Sequence, residues 1–484
     1  MITRIKINGF KSLLDNELYF GPFTCIAGAN AIGKSNFFDA LLFLSHLADN
    51  TVLQAAKSIR SENQRHSNIK DIFFRSGNRH IDTIRFEVDM IVPRNAEDDL
   101  GQMAHATITS LRYRLALKLN DEGNDRELIE IIEEELLPIT QTESKQNIFF
   151  EHSDEWLKSV LQGRRSTKAP FISTEEDRIK LHQDGSKGRT SEFIAQKMPR
   201  TLLSTVTAES PTAFLVRHEM RSWMMLQLEP SALRQPNSVF EVKNATISAN
   251  GHNLPATLYR LSGNDNEKDV FQQLTNRLKD LVDDIDEILV DKDEKRDLLT
   301  LQIRFKDGLV LPAQSLSDGT LRFLGLAAIE ADIAANSIIC LEEPENGISP
   351  KKIEEMLGLL RDMASDTDFA VDEDNPFRQV IINSHSPLVV SNIPDESLYL
   401  AKDKEVFMES FGMKVKYTTF SALKNTWKTN RELAEFTSKG DIIAYLESRI
   451  MSESDQVAEN EPQYISKKKR RTVSENVGQL KIEF

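Results

Sequence analysis

Gly28-Ala29-Asn30-Ala31-Ile32-Gly33-Lys34-Ser35 is the stretch on which the fold reading turns. A short apolar run, Phe23, Cys25 and Ile26, precedes it, and Phe37, Leu41, Leu42, Leu44 and Leu47 follow at helical spacing. Strand, loop, helix is the context in which G-x-x-x-x-G-K-[ST] has physical content. Its glycines permit tight turns, so successive N–H groups line a concave nest for phosphate oxygens, and the positive end of the following helix adds to the field. Lys34 reaches the β and γ phosphates, and Ser35 offers its hydroxyl to Mg²⁺. The spacing therefore predicts an ATP- and Mg²⁺-binding loop between a strand and a helix, and with it an α/β fold.

Outward from the loop, the first 45 residues read strand, turn, strand, loop, helix. Ile84, Phe86, Val88, Met90 and Val92 alternate with polar residues, and so do Leu111, Tyr113, Leu115, Leu117 and Leu119. Period two over five positions predicts two strands of an antiparallel sheet. Ser337–Leu341 and Gln379–Ile382 are solid apolar runs flanking a helical pattern at Ile353, Met356, Leu357, Leu360 and Met363, which predicts a parallel sheet covered on both faces. Phe271, Leu274, Leu278, Leu281, Ile285 and Ile288 predict one amphipathic helix. Leu301, Ile303 and Phe305, then Asp307-Gly308, then Leu309 and Leu311 predict a hairpin with a two-residue turn.

The 484 residues carry 60 basic and 75 acidic side chains, a net charge of −15. That balance disfavours a protein coated in nucleic acid, because phosphate binding is built from Lys and Arg. No apolar run approaches the ~20 residues of a membrane span, and no secretory signal pattern is visible at the N-terminus. Two cysteines, Cys25 and Cys340, both in apolar runs, read as buried free thiols of a cytoplasmic protein. The charge is uneven: residues 121–155 hold twelve acidic residues against Arg126 and Lys145, and Lys467-Lys468-Lys469-Arg470-Arg471 stand near the end. The acidic stretch is either a solvated helix face or a docking surface that mimics DNA or takes a basic effector. The basic cluster either touches DNA or solubilises a tail. Residues 121–238 are expected to be a mainly helical insertion with a loop or poorly ordered stretch near 163–190, holding further basic patches. The acidic loop 364–376 reads as solvated rather than metal-binding, and the tail 451–484 as disordered.

Three more features bear on chemistry. Ile338-Ile339-Cys340-Leu341-Glu342-Glu343 is an apolar strand ending in two acids, the arrangement that places one carboxylate on the Mg²⁺ shell (Glu342) and a second on the attacking water (Glu343). Leu316-Ser317-Asp318-Gly319-Thr320 stands just before an apolar helix. His385 ends the strand-like Ile381-Ile382-Asn383-Ser384.

The order of these features resembles an ABC-type ATPase head of the RecF and SMC-like class. In it, Ser317–Gly319 match the signature motif and His385 the switch histidine. Asn8-Gly9-Phe10-Lys11-Ser12 is similar to the opening of that class. Glu342-Glu343-Pro344-Glu345-Asn346-Gly347-Ile348-Ser349-Pro350 resembles a stretch of the short prokaryotic predicted ATPases related to OLD-family heads, as do Leu228–Arg234 and Asn250–Pro255. Ser349 stands where a His is usual, and Asp318 where the signature has a glycine. The glutamine of the Q-loop is unassigned, Gln54 being a weak candidate.

The resemblance implies an ABC-type (P-loop) ATPase head with a mixed sheet plus an antiparallel β subdomain, split into residues 1–120 and 239–450 by the insertion. ATP would be held by Gly28, Asn30, Ala31, Gly33, Lys34, Ser35 and Asn36. Ser35 and Glu342 would hold Mg²⁺, and Glu343 and His385 would be catalytic. Ser317, Asp318 and Gly319 would close over ATP bound to a second copy in a head-to-head homodimer or higher homo-oligomer. The implied role is the ATPase of an antiphage defence system that controls a separate nuclease or toxin, since about 100 residues after His385 leave no room for a fused Toprim nuclease. The alternative is a RecF-like repair ATPase acting directly on DNA; a transporter ATPase is disfavoured by the length.

Overall fold

Two β-sheets enclose the helix Lys34–Leu47 in a computed structural model of the chain, which describes residues 1–59, 68–121, 127–163, 169–184, 190–263, 267–282, 284–333, 337–429 and 437–447. The first sheet has six strands in the order Trp223–Leu226, Ile338–Glu342, Gln379–Ser384, Phe23–Ala27, Leu398–Met408, Met413–Ala422. The first five run parallel and the last closes an antiparallel hairpin. The expected solid apolar runs lie at its centre, buried along nearly their whole length. The second sheet is antiparallel, with eight strands in the order Ser191–Ile194, Arg178–Leu181, Ile172–Glu175, Glu127–Pro138, Ser110–Asp121, Thr83–Ile91, Ile2–Asn8, Asn16–Tyr19.

The helix between them is buried almost all round because both sheets need its side chains. Phe37, Leu41 and Leu44 share one core cluster with Ile5, Phe86 and Tyr113 of the antiparallel sheet and Ile338, Cys340 and Tyr399 of the parallel one. The far face of the parallel sheet packs Ile339, Leu341, Ile382 and Leu400 against helices Asp318–Ala331 and Ile353–Asp362. Two side chains stitch the sheets together. Gln379 accepts from the Ile2 N–H (2.9 Å) and donates to the carbonyls of Ile2 and Gly21. The Tyr399 hydroxyl donates to the Tyr19 carbonyl (2.9 Å) and accepts from its N–H (3.0 Å). A smaller sheet, Asn237–Ser238, Leu298–Phe305, Ile285–Asp293 and Val310–Pro312, packs with helices Leu254–Ser262 and Glu267–Leu281. Cys25 and Cys340 are buried free thiols, and burial pushes both thiol pKa values up. Among the described residues no helix is long and apolar enough to cross a membrane.

Several expectations need correction. Residues 121–238 are not a mainly helical insertion. Glu127–Pro138 pairs with Ser110–Asp121, the hairpin Ile172–Glu175/Arg178–Leu181 stands where a loop was expected, and Trp223–Leu226 joins the parallel sheet. Where the acidic stretch runs through Glu127–Pro138 it is a strand and not a helix face; Glu122 and Asp125 lie outside the described residues. Glu133 pairs with Arg85 (2.8 Å) and Glu135 with Arg114 (3.2 Å), and Glu134 points into the core. The helix expected through Ile288 stops at Leu281, and Ile285 and Ile288 belong to a strand. The hairpin at 298–312 forms, with a three-residue loop in which only Gly308 has positive φ and Phe305 N–H bonds Leu309 O. A strand at Asn16–Tyr19 was not expected. In the 364–376 loop, Asp366 and Asp372 accept from backbone N–H groups two residues on. The tail 451–484 and the basic residues at 164–165, 185–189 and 467–471 lie outside the described residues.

Candidate nucleotide site

The Gly28–Ser35 loop leaves the carboxyl end of the parallel strand Phe23–Ala27, where an α/β sheet opens a crevice. Ala31 (φ +59°) and Gly33 (φ +98°) turn the backbone left-handed. The N–H groups of Asn30, Ala31, Ile32 and Gly33 have no acceptor among the described residues, so the nest offers free donors. A Cβ on Gly33 would stand 2.4 Å from Thr418 Oγ1 and 2.5 Å from Ser12 Oγ, so only glycine fits.

Those two hydroxyls brace the loop from beneath. Ser12 and Thr418 are 2.7 Å apart, Thr418 donates to the Ile32 carbonyl (2.6 Å), and Asn36 donates to Ser12 (2.8 Å). The Asn8–Ser12 opening thus supports the loop, with Lys11 paired to buried Asp39 at 2.6 Å. Asn36, expected to bind nucleotide, lines the cleft but spends its amide on this brace.

Lys34 is buried, its ammonium donating to the carbonyls of Gly28 (2.7 Å) and Ala29 (2.8 Å). Burial lowers its pKa, and Glu343, Glu342 and Glu345 oppose that effect. Residues 30–36, Glu342, Glu343, Asn346, Asn383, Gln227 and Arg322 line one cleft of about 680 Å³; Gly28, expected to hold ATP, is not in that lining, and its N–H bonds the Ser384 carbonyl.

Glu343 is the most constrained residue there. It sits at φ +47°, left-handed and unusual for a side-chain-bearing residue. Its N–H bonds the Asn383 carbonyl (3.0 Å) and side-chain oxygen (3.2 Å). One carboxylate oxygen lies 2.8 Å from His385 Nδ1, and the other accepts from Asn346 Nδ2 at 2.9 Å. Glu343 and His385, each expected to be catalytic, are therefore in direct contact. Glu342 holds the Asn383 amide at 3.5 Å.

The donor set fits Mg-ATP. Free N–H groups and Lys34 match phosphate oxygens, and the Ser35 hydroxyl and Glu342 carboxylate are hard oxygen ligands. Among the described residues no group of three or more His, Cys, Asp or Glu forms a metal cage, so a divalent cation here would complete its shell with phosphate and water oxygens.

Ser317, Asp318 and Gly319 do not line this cleft. Ser317 caps the helix Asp318–Ala331 through Thr320 N–H (3.2 Å), and a Cβ on Gly319 would stand 2.5 Å from the Gly347 carbonyl.

Residues Met1 to Val390 match the family described as an AAA ATPase domain, residues 1–390 of the chain. The chain belongs to that family. The AAA ATPase domain covers the antiparallel sheet, four of the six strands of the parallel sheet and every cleft residue named above, with His385 near its end. Similar solved structures include the Smc head bound to the C-winged helix domain of ScpA, at 14% identity, with 87% of this chain and 98% of that chain covered and a TM-score of 0.45. The SMC head domain from Thermotoga maritima matches at 12% identity over 87% of this chain and 99% of that chain, TM-score 0.37. The Smc head with an extended coiled coil bound to the C-terminal domain of ScpA, derived from Pyrococcus furiosus, matches at 11% identity over 94% and 99%, TM-score 0.38. No curated protein matches the chain.

Residues missed from the sequence complete this ATPase domain's cleft. Gln227 follows the strand Trp223–Leu226 and lines it, whereas Gln54 is used in a capping box with Thr51. Behind the cleft lining Glu345 is buried, its Oε1 accepting from Ser384 at 2.5 Å and its Oε2 without a hydrogen-bond partner among the described residues; burial raises its pKa. Asn383 could have been suspected as the polar end of an apolar strand; Gln227 was hidden by the helical reading of its segment.

Proposed function

We propose that this chain binds Mg-ATP in the Gly28–Ser35 cleft and hydrolyses it, with Glu343 as the general base. The observation that carries the reading is the fixed position of Glu343, held by backbone, Asn346 and His385 in the same cleft as the phosphate loop. A base must lie within hydrogen-bond reach of the water it activates and must not drift. His385 orients the Glu343 carboxylate through Nδ1 from just outside the cleft lining. Gln227 takes the place left open for the Q-loop glutamine. Glu343→Gln is expected to lower ATP turnover by about 100-fold or more while a fluorescent ATP analogue still binds. Lys34→Ala is expected to remove binding itself. Unchanged turnover in Glu343→Gln would overturn the role of Glu343.

The proposed setting is a cytoplasmic, head-to-head homodimer whose ATP state controls a separate nuclease or toxin in antiphage defence. It is favoured over direct action on DNA by the charge of the antiparallel sheet. Arg4, Arg112 and Arg114 are engaged by Glu17, Glu87, Asp89 and Glu135, so this face offers phosphates little free positive charge. Tight, ATP-dependent and steeply salt-dependent binding of duplex DNA by the isolated protein would reverse that preference.

A further inference from the structure

Arg234 follows the short helix Pro230–Leu233, and its side chain crosses to the start of the helix Asp318–Ala331. Nη2 donates to the Leu316 carbonyl at 2.8 Å and to Asp318 Oδ1 at 2.6 Å. Nε and Nη1 have no acceptor among the described residues, and the side chain is 24% exposed. Its surroundings are rigid. The Arg234 carbonyl accepts from Gln314, Ser317 caps the helix, and Gly319 lies against Gly347. Nη2 is thus spent on two acceptors, while the Nε–H on one side of it and the Nη1–H groups on the other remain unused beside a helix N-terminus.

The carboxylate of Asp318 is 59% exposed at that same helix start. Unneutralised, it would repel any polyphosphate brought to Ser317–Gly319. A guanidinium holds its N–H groups in several fixed directions of one plane, so separate nitrogens can answer two anions at once, which an ammonium cannot do in fixed geometry.

We propose that Arg234 of one copy contacts the terminal phosphate of the nucleoside triphosphate held by the Gly28–Ser35 loop of a second copy. Nη2 keeps Asp318 neutralised while Nη1 donates to a phosphate oxygen. This inference rests on the head-to-head reading above and adds to it a cation, supplied from outside the signature stretch. Arg234 is then a catalytic residue in trans, stabilising charge on the terminal phosphate as it is transferred to water.

The test is steady-state ATP turnover on the full chain. Arg234→Ala is expected to lower kcat by about 10- to 1000-fold, with binding of a fluorescent ATP analogue to the chain's own loop unchanged. Arg234→Lys should recover part of the loss and controls for folding. Adding Asp318→Gly to Arg234→Ala separates contact from neutralisation. The loss should persist; recovery would show that Arg234 only masks Asp318, and would overturn the proposal.

Mixing subunits tests the trans arrangement. Equimolar Arg234→Ala and Lys34→Ala chains should together exceed the sum of their separate rates, because one site of each mixed dimer joins an intact loop to an intact Arg234. Ser317→Arg mixed with Lys34→Ala is the reference. Recovery there without recovery for Arg234→Ala overturns the inference alone. No recovery in either mixture overturns the head-to-head reading on which it rests.

Discussion

Glu343 carries the local strain of the site. A non-glycine residue at φ +47° persists only where its surroundings over-determine it. Here Asn383 takes its N–H twice, and His385 and Asn346 take its carboxylate. The strain and the bonds place one carboxylate at the cleft with little freedom, which is what a positioned base requires. Gly33 shows the same logic without a side chain. At φ +98°, with Thr418 and Ser12 hydroxyls 2.4 and 2.5 Å from where a Cβ would be, the position admits nothing larger than hydrogen. Gly33→Ala should therefore push the loop off its brace. We expect it to cost about 1–3 kcal/mol of stability and to abolish binding of the ATP analogue, read by denaturant titration and fluorescence. Near-normal binding in Gly33→Ala would show that the loop does not depend on the Ser12–Thr418 brace.

Elements explain both what could be read from the residues and what could not. The long alternating strands at 83–91 and 110–121 formed as expected because their inward residues keep period two without interruption. Two β-bulges defeated the same reading elsewhere. The register shifts between Ile131 and Glu133, and again between Ile285 and Glu287. A bulge adds one residue, so inward positions fall three apart, Ile131 and Glu134 in one strand and Ile285 and Ile288 in the other. Three is also a helical step, and both strands passed for helices. The phosphate loop was legible because its chemistry dictates local spacing; Gln227 was not, because its place depends on a four-residue strand pairing with residues more than a hundred positions away.

Glu134 gives one of these bulged strands a measurable signature. It is fully buried, accepts from Leu202 N–H (2.6 Å), Leu203 N–H (2.9 Å) and Tyr113 OH (3.1 Å), and fastens the Leu203–Thr205 turn to the sheet. Burial raises its pKa from 4.5 to about 7. The folded state therefore binds the proton more tightly than the unfolded chain. Its contribution to stability is complete below about pH 4.5 and is lost as pH rises to about 7. Glu134→Gln should remove this component, so the difference in unfolding free energy between wild type and variant should change by roughly 1–3 kcal/mol across that window. A difference that stays flat with pH would show that Glu134 titrates normally.

At the scale of the molecule, the cleft and the Ser317–Gly319 stretch stand apart. The phosphate loop, Glu342, Glu343 and Gln227 meet at the carboxyl edge of the parallel sheet, while Ser317–Gly319 begin a helix outside the cleft lining. In the proposed head-to-head dimer that separation is the reason for dimerising, because each copy holds a triphosphate and presents a helix start and Arg234 that only a second copy can use. ATP then acts as part of the interface, and its hydrolysis removes a contact from both sides. A chain that binds but does not hydrolyse should accumulate as the dimer. Glu343→Gln with ATP and Mg²⁺ is expected to sediment at twice the monomer mass, and to return to the monomer on removal of Mg²⁺ or on adding Lys34→Ala. Ser317→Arg in the same background should remain monomeric with its own loop still loaded, because the large cation sits where the partner's phosphate must approach. If the Glu343→Gln chain keeps one mass with and without nucleotide, ATP does not control assembly, and any coupling to an effector must run through changes within a single head.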